Sequence, residues 1–391
     1  MYRHAPILAL VLAILVGPQP AGAEDWPTYM HDNNRSGVTG EKLVPPLSES
    51  WVLRAGRPPE PAWPPPAKQD FYHHHHDLRE TVAYDRAFHV VGAEQMIFFG
   101  SSSEDKVYAL DPRTGRTRWT FYTEGPVRFA PSVADGKVYV GSDDGWAYCL
   151  SARDGTLLWK YRAAEQPREA RLAADRLIPG NQRMISLWPL RTGLLVDGGA
   201  VYFGAGLFPN QGTFLLALNA QDGTVTWKQQ VDISPQGYAL ASRERLYIPT
   251  GRANPFVFSR SDGRLVGELP SAGGTFALLT EDVLVAGPGR GAKELNAADV
   301  ETKSKVAMFD GLRMLVNGRT AYMQSETLLS AFDRGSYLKL SREQFTLAQQ
   351  RDKLKDQLKK MDKSSPEAQE VQKKIEAFAA PIDELSGKMK E

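Results

Sequence analysis

Three features of the 391-residue sequence predict an all-β fold, a β-propeller of four-stranded antiparallel blades. A turn that contains glycine is followed four residues later by tryptophan in three places. The first two copies lie about 40 residues apart, which is the length of one propeller blade. Short runs of β-branched and aromatic residues lead into each turn and are typical of strands. The repeated pairs are Gly115 with Trp119, Gly155 with Trp159, and Gly223 with Trp227.

The first 23 residues have the pattern of a cleavable signal peptide. Arg3 gives a weakly basic start, residues 7–16 are apolar, and Ala21 to Ala23 offer a small-residue cleavage site. The apolar run is too short to cross a bilayer, which needs about 20 residues. We therefore expect a periplasmic or secreted protein without a transmembrane span in the mature chain, with an uncleaved anchor as the alternative.

Residues 24–336 are predicted to form the propeller. Six strand starts are visible, and the N-terminal portion could supply a seventh blade, so we expect about six to eight blades. A fourth copy of the turn, at Gly263, is followed by Gly267 in place of tryptophan, and the last unit also lacks the indole. The ring is therefore either closed by a further blade or incomplete, and an incomplete ring would expose strand edges.

The tryptophans are predicted to fasten neighbouring blades. Each indole would leave the outer edge of one blade and cover the backbone of the next, while the glycine permits the positive φ that aims it. Burying one indole removes about 200 Å² from water, on the order of 5 kcal/mol as an upper estimate.

An insertion over residues 163–189 separates the second and third copies. It is predicted to begin with a short helix and then to expose Arg183, Met184 and Trp188. Long insertions between blades lie on a face of the disc, where binding surfaces form. We expect either a binding surface or a plain surface loop.

The C-terminal residues 337–391 change to a helical pattern. Leu340, Leu347 and Leu354 recur every seven residues, and Ser365 before Pro366 marks a helix stop and restart. This pattern predicts a helical hairpin, or coiled coil, whose apolar stripes pack mainly on each other and whose second arm is kinked or shortened at Pro381.

The segment ALDPRTGRTRW, residues 109–119, resembles the docking motif of propeller repeats of the pyrroloquinoline-quinone (PQQ) type. The resemblance covers residues 26–334. It implies the propeller fold, but this family includes both quinone-dependent dehydrogenases and cofactor-free scaffolds such as the outer-membrane assembly lipoprotein BamB. The enzymes typically carry an adjacent cysteine pair, a tryptophan beneath the cofactor and acidic calcium ligands.

The single cysteine, Cys149, excludes the adjacent pair and is expected to be a small buried residue. The acidic segments 101–105 and 142–145 fit ordinary hairpin turns. We therefore expect no catalytic residue and no cofactor. The alternative is a periplasmic PQQ-dependent oxidoreductase with calcium.

Two arginines are the main candidate ligand-binding residues. Arg128 and Arg191 occupy the same repeat position, and on innermost strands both would point into the central funnel and favour a carboxylate, a phosphate or an acidic peptide. Arg86 is a weaker third candidate. The alternative is that these arginines pair with acids of neighbouring blades.

Four consecutive histidines, His73, His74, His75 and His76, could bind a transition metal. Consecutive positions rarely surround one ion, so a solvated loop is the preferred interpretation and no metal is expected.

The charge balance argues against a partner held by bulk charge. Lys and Arg number 47 and Asp and Glu 46, so nucleic acid is not expected as a partner. The sequence predicts a non-catalytic exported scaffold that binds an envelope protein, a peptide or a small anionic ligand.

Overall fold

The computed structural model describes residues 24–62, 85–164, 177–180, 183–251, 253–271, 273–288, 293–362 and 365–389. Within these ranges, five four-stranded antiparallel sheets and one three-stranded sheet follow one another along the chain. We number them blades 1 to 6. In each blade every strand pairs with the next strand in sequence, as in a meander. The predicted all-β propeller is thereby confirmed.

Blades 1 to 3 contain the repeats with tryptophan. Blade 1 comprises β1 (Val91–Ala93), β2 (Met96–Ser101), β3 (Lys106–Leu110) and β4 (Thr117–Tyr122). Blade 2 comprises β5 (Ser132–Ala134), β6 (Lys137–Gly141), β7 (Trp146–Ser151) and β8 (Leu157–Arg162). The insertion contributes a hairpin of β9 (Leu177–Gly180) and β10 (Arg183–Ser186). After β11 (Thr192–Gly193), blade 3 comprises β12 (Leu195–Asp197), β13 (Ala200–Ala205), β14 (Thr213–Asn219) and β15 (Val225–Val231).

Blades 4 to 6 complete the series. A short β16 (Gly237–Tyr238) pairs in parallel with β11. Blade 4 comprises β17 (Leu240–Ala241), β18 (Arg245–Ile248), β19 (Phe256–Ser259) and β20 (Leu265–Glu268). Blade 5 comprises β21 (Phe276–Leu279), β22 (Val283–Gly287), β23 (Glu294–Asp299) and β24 (Lys305–Asp310). Blade 6 comprises β25 (Arg313–Asn317), β26 (Thr320–Gln324) and β27 (Leu329–Asp333).

The core lies between blades rather than inside one sheet. Phe98 and Val107 of blade 1 pack with Val138 and Leu150 of blade 2, and the same kind of cluster forms between each later pair of blades. A sheet that is covered on both faces needs apolar residues on both, which explains the nearly continuous apolar runs in the middle strands. The described residues 24–62 add no seventh blade.

The C-terminal region forms three helices. They are α1 (Arg334–Leu358), α2 (Pro366–Glu376) and α3 (Ala379–Lys388). As predicted, Ser365 caps the second helix, because its hydroxyl accepts a hydrogen bond from the Ala368 amide at 3.1 Å. The second arm is shortened, one of the two outcomes expected from Pro381: α2 ends at Glu376, and the proline lies in the first turn of α3, where its missing N–H costs nothing.

Helix α1 packs on the other two helices, as expected, and also on the propeller. Tyr337 stacks on Phe309 of blade 5 with ring centroids 4.7 Å apart, and its hydroxyl donates to the Met308 carbonyl at 3.0 Å. Leu338 is buried in the same cluster. The first helix therefore covers the outer part of blades 5 and 6. Among the described residues, no helix combines the length and the apolar character that crossing a membrane requires.

Candidate functional site: the propeller axis

The structure places the repeated tryptophans at equivalent contacts between consecutive blades, which we call seams. Trp119 lies on Gly155, and Trp159 lies on Gly223. A Cβ atom added at either glycine would come within 2.7 to 2.8 Å of the indole ring. The indole nitrogens also donate to matching backbone carbonyls, Trp119 to Ala152 at 3.0 Å and Trp159 to Ala220 at 3.1 Å.

The role of the glycine differs from the predicted one. Gly155 does not aim the tryptophan that follows it in sequence; it receives the indole of the preceding blade. It has a positive φ of 74°, and without a Cβ it lets the ring lie flat on the turn. Trp227 uses Gly263 of blade 4 in the same way.

The series has a further member that the repeat pattern does not mark. Trp51 lies on Gly115 of blade 1, and its nitrogen donates to the Pro112 carbonyl at 2.9 Å. Its segment is not a strand and has no turn in front of it, so no repeat pattern marked it.

The seam between blades 4 and 5 lacks the tryptophan on one side and the receiving glycine on the other. Gly267 stands where the indole is expected, and Lys303 stands where blade 5 should have the receiving glycine. Lys303 has a φ of 56°, and its ammonium donates to the Val266 carbonyl at 2.6 Å. The lysine side chain thus occupies space that an indole fills elsewhere.

One end of the propeller axis is closed by residues 26–37, which we call the axis segment. It makes backbone hydrogen bonds to the innermost strands of four blades, and the Asn33 side chain bonds to a fifth. These bonds join Trp26 to Gly92, Pro27 to Val133, Asn33 to Val196 and Ala241, and Asn34 to Leu279. Gly37 lies against Leu315 of blade 6.

Arg35 anchors the axis segment and is only 1% exposed. Its guanidinium donates twice to the Ala239 carbonyl, at 2.8 and 3.1 Å, and also to the Thr28 hydroxyl. Burial lowers the pKa of Arg35 to about 10, so the side chain is still charged at neutral pH. It lies 5.6 Å from the centroid of the Tyr238 ring, which in turn stacks on Tyr29 at 3.7 Å.

The other end of the axis holds a buried ion-pair network. Asp143 accepts from Arg128 Nε at 2.6 Å and from Arg191 Nε at 2.7 Å. Arg128 also donates to Asp85 at 2.9 Å and to the Glu60 carbonyl at 2.5 Å. The four charged side chains are at most 2% exposed, and the two positive and two negative charges balance. Paired burial of this kind satisfies charges that would be costly alone.

This network corrects the predicted ligand site. Arg128 and Arg191 do face the axis from equivalent positions, but the alternative interpretation holds, since both pair with acids. Asp143 comes from a turn of blade 2 whose sequence predicts only a hairpin turn, and Asp85 comes from the segment before blade 1. Buried guanidiniums in these bonds are not available to an anion. Arg86, the third candidate, is exposed.

The insertion is also less open than predicted. Its described part is the β9–β10 hairpin, while the expected helix falls on residues outside the described ranges. Arg183 is bound to blade 1, donating to Asp105 at 2.6 Å and to the Ser102 carbonyl at 2.7 Å. Trp188 is half-buried and donates to the Gln211 carbonyl at 3.0 Å, whereas Met184 is 56% exposed.

Asp105 is the least satisfied acid near this network. One of its carboxylate oxygens is buried without a hydrogen-bond partner among the described residues. Burial raises the pKa of Asp105, and the nearby Arg183 opposes that shift. Arg183 of the insertion hairpin therefore compensates this carboxylate of blade 1 only in part.

The described residues do not fit a calcium-bound quinone on the axis. Asp143 is committed to two arginines, and Asp144 accepts from the Glu124 and Trp146 amides and from the Tyr148 hydroxyl. In the described part of the chain, no three His, Cys, Asp or Glu side chains are grouped so that they could hold a metal ion. The histidines at 73–76 lie outside the described residues.

Two polar clefts open beside the axis segment. One has a volume of about 400 Å³ and is lined by Glu24, Thr28 and His31, among others. The other, of about 560 Å³, is lined by residues including Arg243 and Arg260. The first cleft is lined by three carboxylates, those of Glu24, Asp25 and Asp32, and by no lysine or arginine. The second mixes acidic residues with these two arginines.

Comparison with known proteins gives one family. A family model described as "Outer membrane protein assembly factor BamB" matches residues 77–187 and 103–336. The dehydrogenase subunit of a quinone alcohol dehydrogenase from Gluconobacter oxydans is 27% identical over 145 residues. That stretch covers 34% of this chain and only 17% of the dehydrogenase subunit.

Solved structures give weaker likenesses. BamB from Moraxella catarrhalis is 17% identical with a TM-score of 0.45, over 61% of this chain and 70% of that protein. A quinohemoprotein alcohol dehydrogenase from Comamonas testosteroni is 12% identical with a TM-score of 0.48, over 78% and 58%. The fold assignment rests on the sheets and seams described above and on the family match. Since that match runs over about two thirds of the 391 residues, the chain belongs to the PQQ-repeat propeller family described as outer membrane protein assembly factor BamB.

Proposed function

We propose that this protein is a non-catalytic, exported scaffold that binds a protein or peptide partner in the cell envelope. The observation that carries the proposal is that buried, mutually bonded side chains of the protein itself lie along the axis. Arg35 and Tyr238 lie at one end, and Asp143 with its two arginines lies at the other. Binding is therefore assigned to the outer surfaces of the disc.

The family match supports this proposal, because the matching model is named for an assembly factor rather than for an enzyme. The signal-peptide pattern supports export, since a short apolar run followed by small residues directs secretion. The near balance of charges leaves shape and apolar contact, rather than bulk charge, to select the partner.

The second candidate is a quinone-dependent oxidoreductase, favoured by the 145-residue match to the Gluconobacter dehydrogenase subunit. A quinone on the axis would have to displace the contacts of Arg128 or Arg191 with Asp143. Breaking a buried ion pair by removing one partner costs about 3–5 kcal/mol. The quinone would have to compensate this cost before it gained any binding energy.

The test is reconstitution of the mature chain with PQQ and Ca²⁺, followed by dye-linked oxidation assays on alcohols and sugars. We expect no turnover above the rate of free PQQ. An Arg191→Ala variant is the matched comparison, because it opens the network without touching the seams. Substrate oxidation by the wild-type chain, with a stoichiometric chromophore, would overturn the scaffold proposal.

A further inference from the structure

Each blade presents one row of residues to the following blade, and we call it the forward row. In blade 3 it consists of Leu195, Tyr202, Ala217 and Trp227, which are paired across the four strands. This row packs against blade 4 in a single buried cluster. Leu195 is 0% exposed, Tyr202 5% and Ala217 1%.

The same register recurs in the other four-stranded blades. Their forward rows are Val91, Phe98, Ala109 and Trp119 in blade 1; Ser132, Tyr139, Cys149 and Trp159 in blade 2; Leu240, Tyr247, Val257 and Gly267 in blade 4; and Leu278, Val285, Ala297 and Ala307 in blade 5. The middle members of each row are buried against the next blade.

No other blade of the described chain covers the forward row of blade 6. Strand pairing aligns Leu315, Tyr322 and Ala331, which correspond to Leu195, Tyr202 and Ala217 of blade 3. Leu315 is 36% exposed and Tyr322 42%, and Ala331 is exposed as well. Among the described residues, β27 pairs with β26 only, so the place of a fourth strand beside Ala331 is open.

Helix α1 leaves this face free. It follows β27 directly, but Tyr337 contacts Phe332, whose side chain lies on the opposite face toward blade 5. The helix therefore covers the back of blade 6 and not its forward row.

Apolar side chains are also exposed on the segment that runs from blade 6 to blade 1. Gly37 lies against Leu315 of blade 6, whereas Trp51 lies on blade 1, so residues 38–50 connect these two blades. Leu43 and Val44 on this connection are 71% and 81% exposed.

We propose that an extended segment of a partner polypeptide adds to β27 as a fourth strand, with an aromatic side chain opposite Ala331. The inference rests on the proposed scaffold function. The added strand would continue the register of the other blades. In those blades the fourth strand places Trp119 opposite Ala109 and Trp227 opposite Ala217. Addition of an extended peptide to a free sheet edge gives affinity through main-chain hydrogen bonds and specificity through alternate side chains.

A second copy of this chain is a poorer occupant. To continue the ring, its blade 1 would have to receive blade 6 of the first copy. Trp51 already lies on Gly115 at the receiving turn of blade 1, which blocks head-to-tail stacking. A partner polypeptide is therefore a better occupant than a second copy.

The test uses the mature chain and a labelled probe peptide that copies residues 224–232, TVTWKQQVD, the fourth strand of blade 3. Fluorescence anisotropy should show saturable binding. We expect Ala331→Arg to weaken binding at least tenfold, and alanine in place of the peptide's tryptophan to do the same. Leu265→Arg is the matched control, an exposed apolar strand residue on blade 4, and it should leave binding unchanged.

Hydrogen exchange on the wild-type chain supplies a second readout that needs no variant. Bound peptide should protect amides within residues 329–333 and leave β20 unaffected. Absence of saturable binding, binding that Ala331→Arg does not change, or a dimer that Ala331→Arg dissociates would each overturn strand addition. Quinone-dependent turnover would instead overturn the scaffold function, so the two failures are distinguishable.

Discussion

Replacement of Gly223 with alanine should destabilise the protein by about 2–5 kcal/mol, much more than an ordinary surface change. The added Cβ would lie 2.8 Å from two ring atoms of Trp159, and the residue has a φ of 74°. The left-handed backbone costs an L-residue about 1–2 kcal/mol. Forcing a methyl group into a packed contact costs about 1–3 kcal/mol more.

Gly199→Ala is the matched control for the backbone contribution. Gly199 lies in the same blade with a φ of 76°, but nothing lies within 4 Å of its added Cβ. Its replacement should cost only the backbone share, about 1–2 kcal/mol.

The assay is urea unfolding of the single variants and of the double variants with Trp159→Ala. Removing the indole removes the clash, so Gly223→Ala should cost about 1–3 kcal/mol less in that background. Gly199→Ala should cost the same in both backgrounds. Equal effects of the two glycine variants, with no coupling to Trp159, would refute the proposed fit of glycine to indole.

Three more predictions concern the axis and the seams. Arg191→Ala should destabilise the protein by about 3–5 kcal/mol in urea unfolding, because it leaves two buried carboxylates with one guanidinium. The control is Arg319→Ala, at a side chain that is 87% exposed, and it should change stability little. Equal effects of the two variants would contradict the account. Burial raises the pKa of Cys149 from 9.0 to about 12, so a thiol reagent at pH 8 should label it only after unfolding. Since the unfolded thiol ionises first, its contribution to stability should fall as pH rises above 9, and rapid native labelling would count against this. Gly267→Trp alone should clash with Lys303, whose ammonium nitrogen lies 2.8 Å from a Cβ added at residue 267. Adding Lys303→Gly should restore about 1–3 kcal/mol of stability. Strictly additive effects of the two changes would exclude a paired substitution.

The repeat could be predicted from the sequence because it depends on local chemistry. A strand, a turn with positive φ and an indole at fixed spacing recur wherever a blade packs on the next, so Trp119, Trp159 and Trp227 were found. Which glycine receives which indole is a contact between repeats, and sequence spacing alone did not reveal it. Trp51 lies outside any strand and was missed for that reason.

The axis was harder to predict because its residues occur once. Arg35 belongs to no periodic pattern, and only its carbonyl partners in the fold explain why a charged side chain is buried there. Arg128 and Arg191 share a repeat position and both bond to Asp143, but that aspartate has the sequence pattern of an ordinary turn residue. Ion pairing across separate segments depends on three-dimensional placement.

Side chains on the axis are proposed to hold the fold together and not to bind a cofactor, so that binding belongs to the outer surface. Equilibrium dialysis of the mature chain against PQQ with Ca²⁺ tests this most directly. The filled axis predicts no saturable uptake by the wild-type protein. Uptake of one PQQ per chain, abolished by replacing residues of the Asp143 network, would contradict the account.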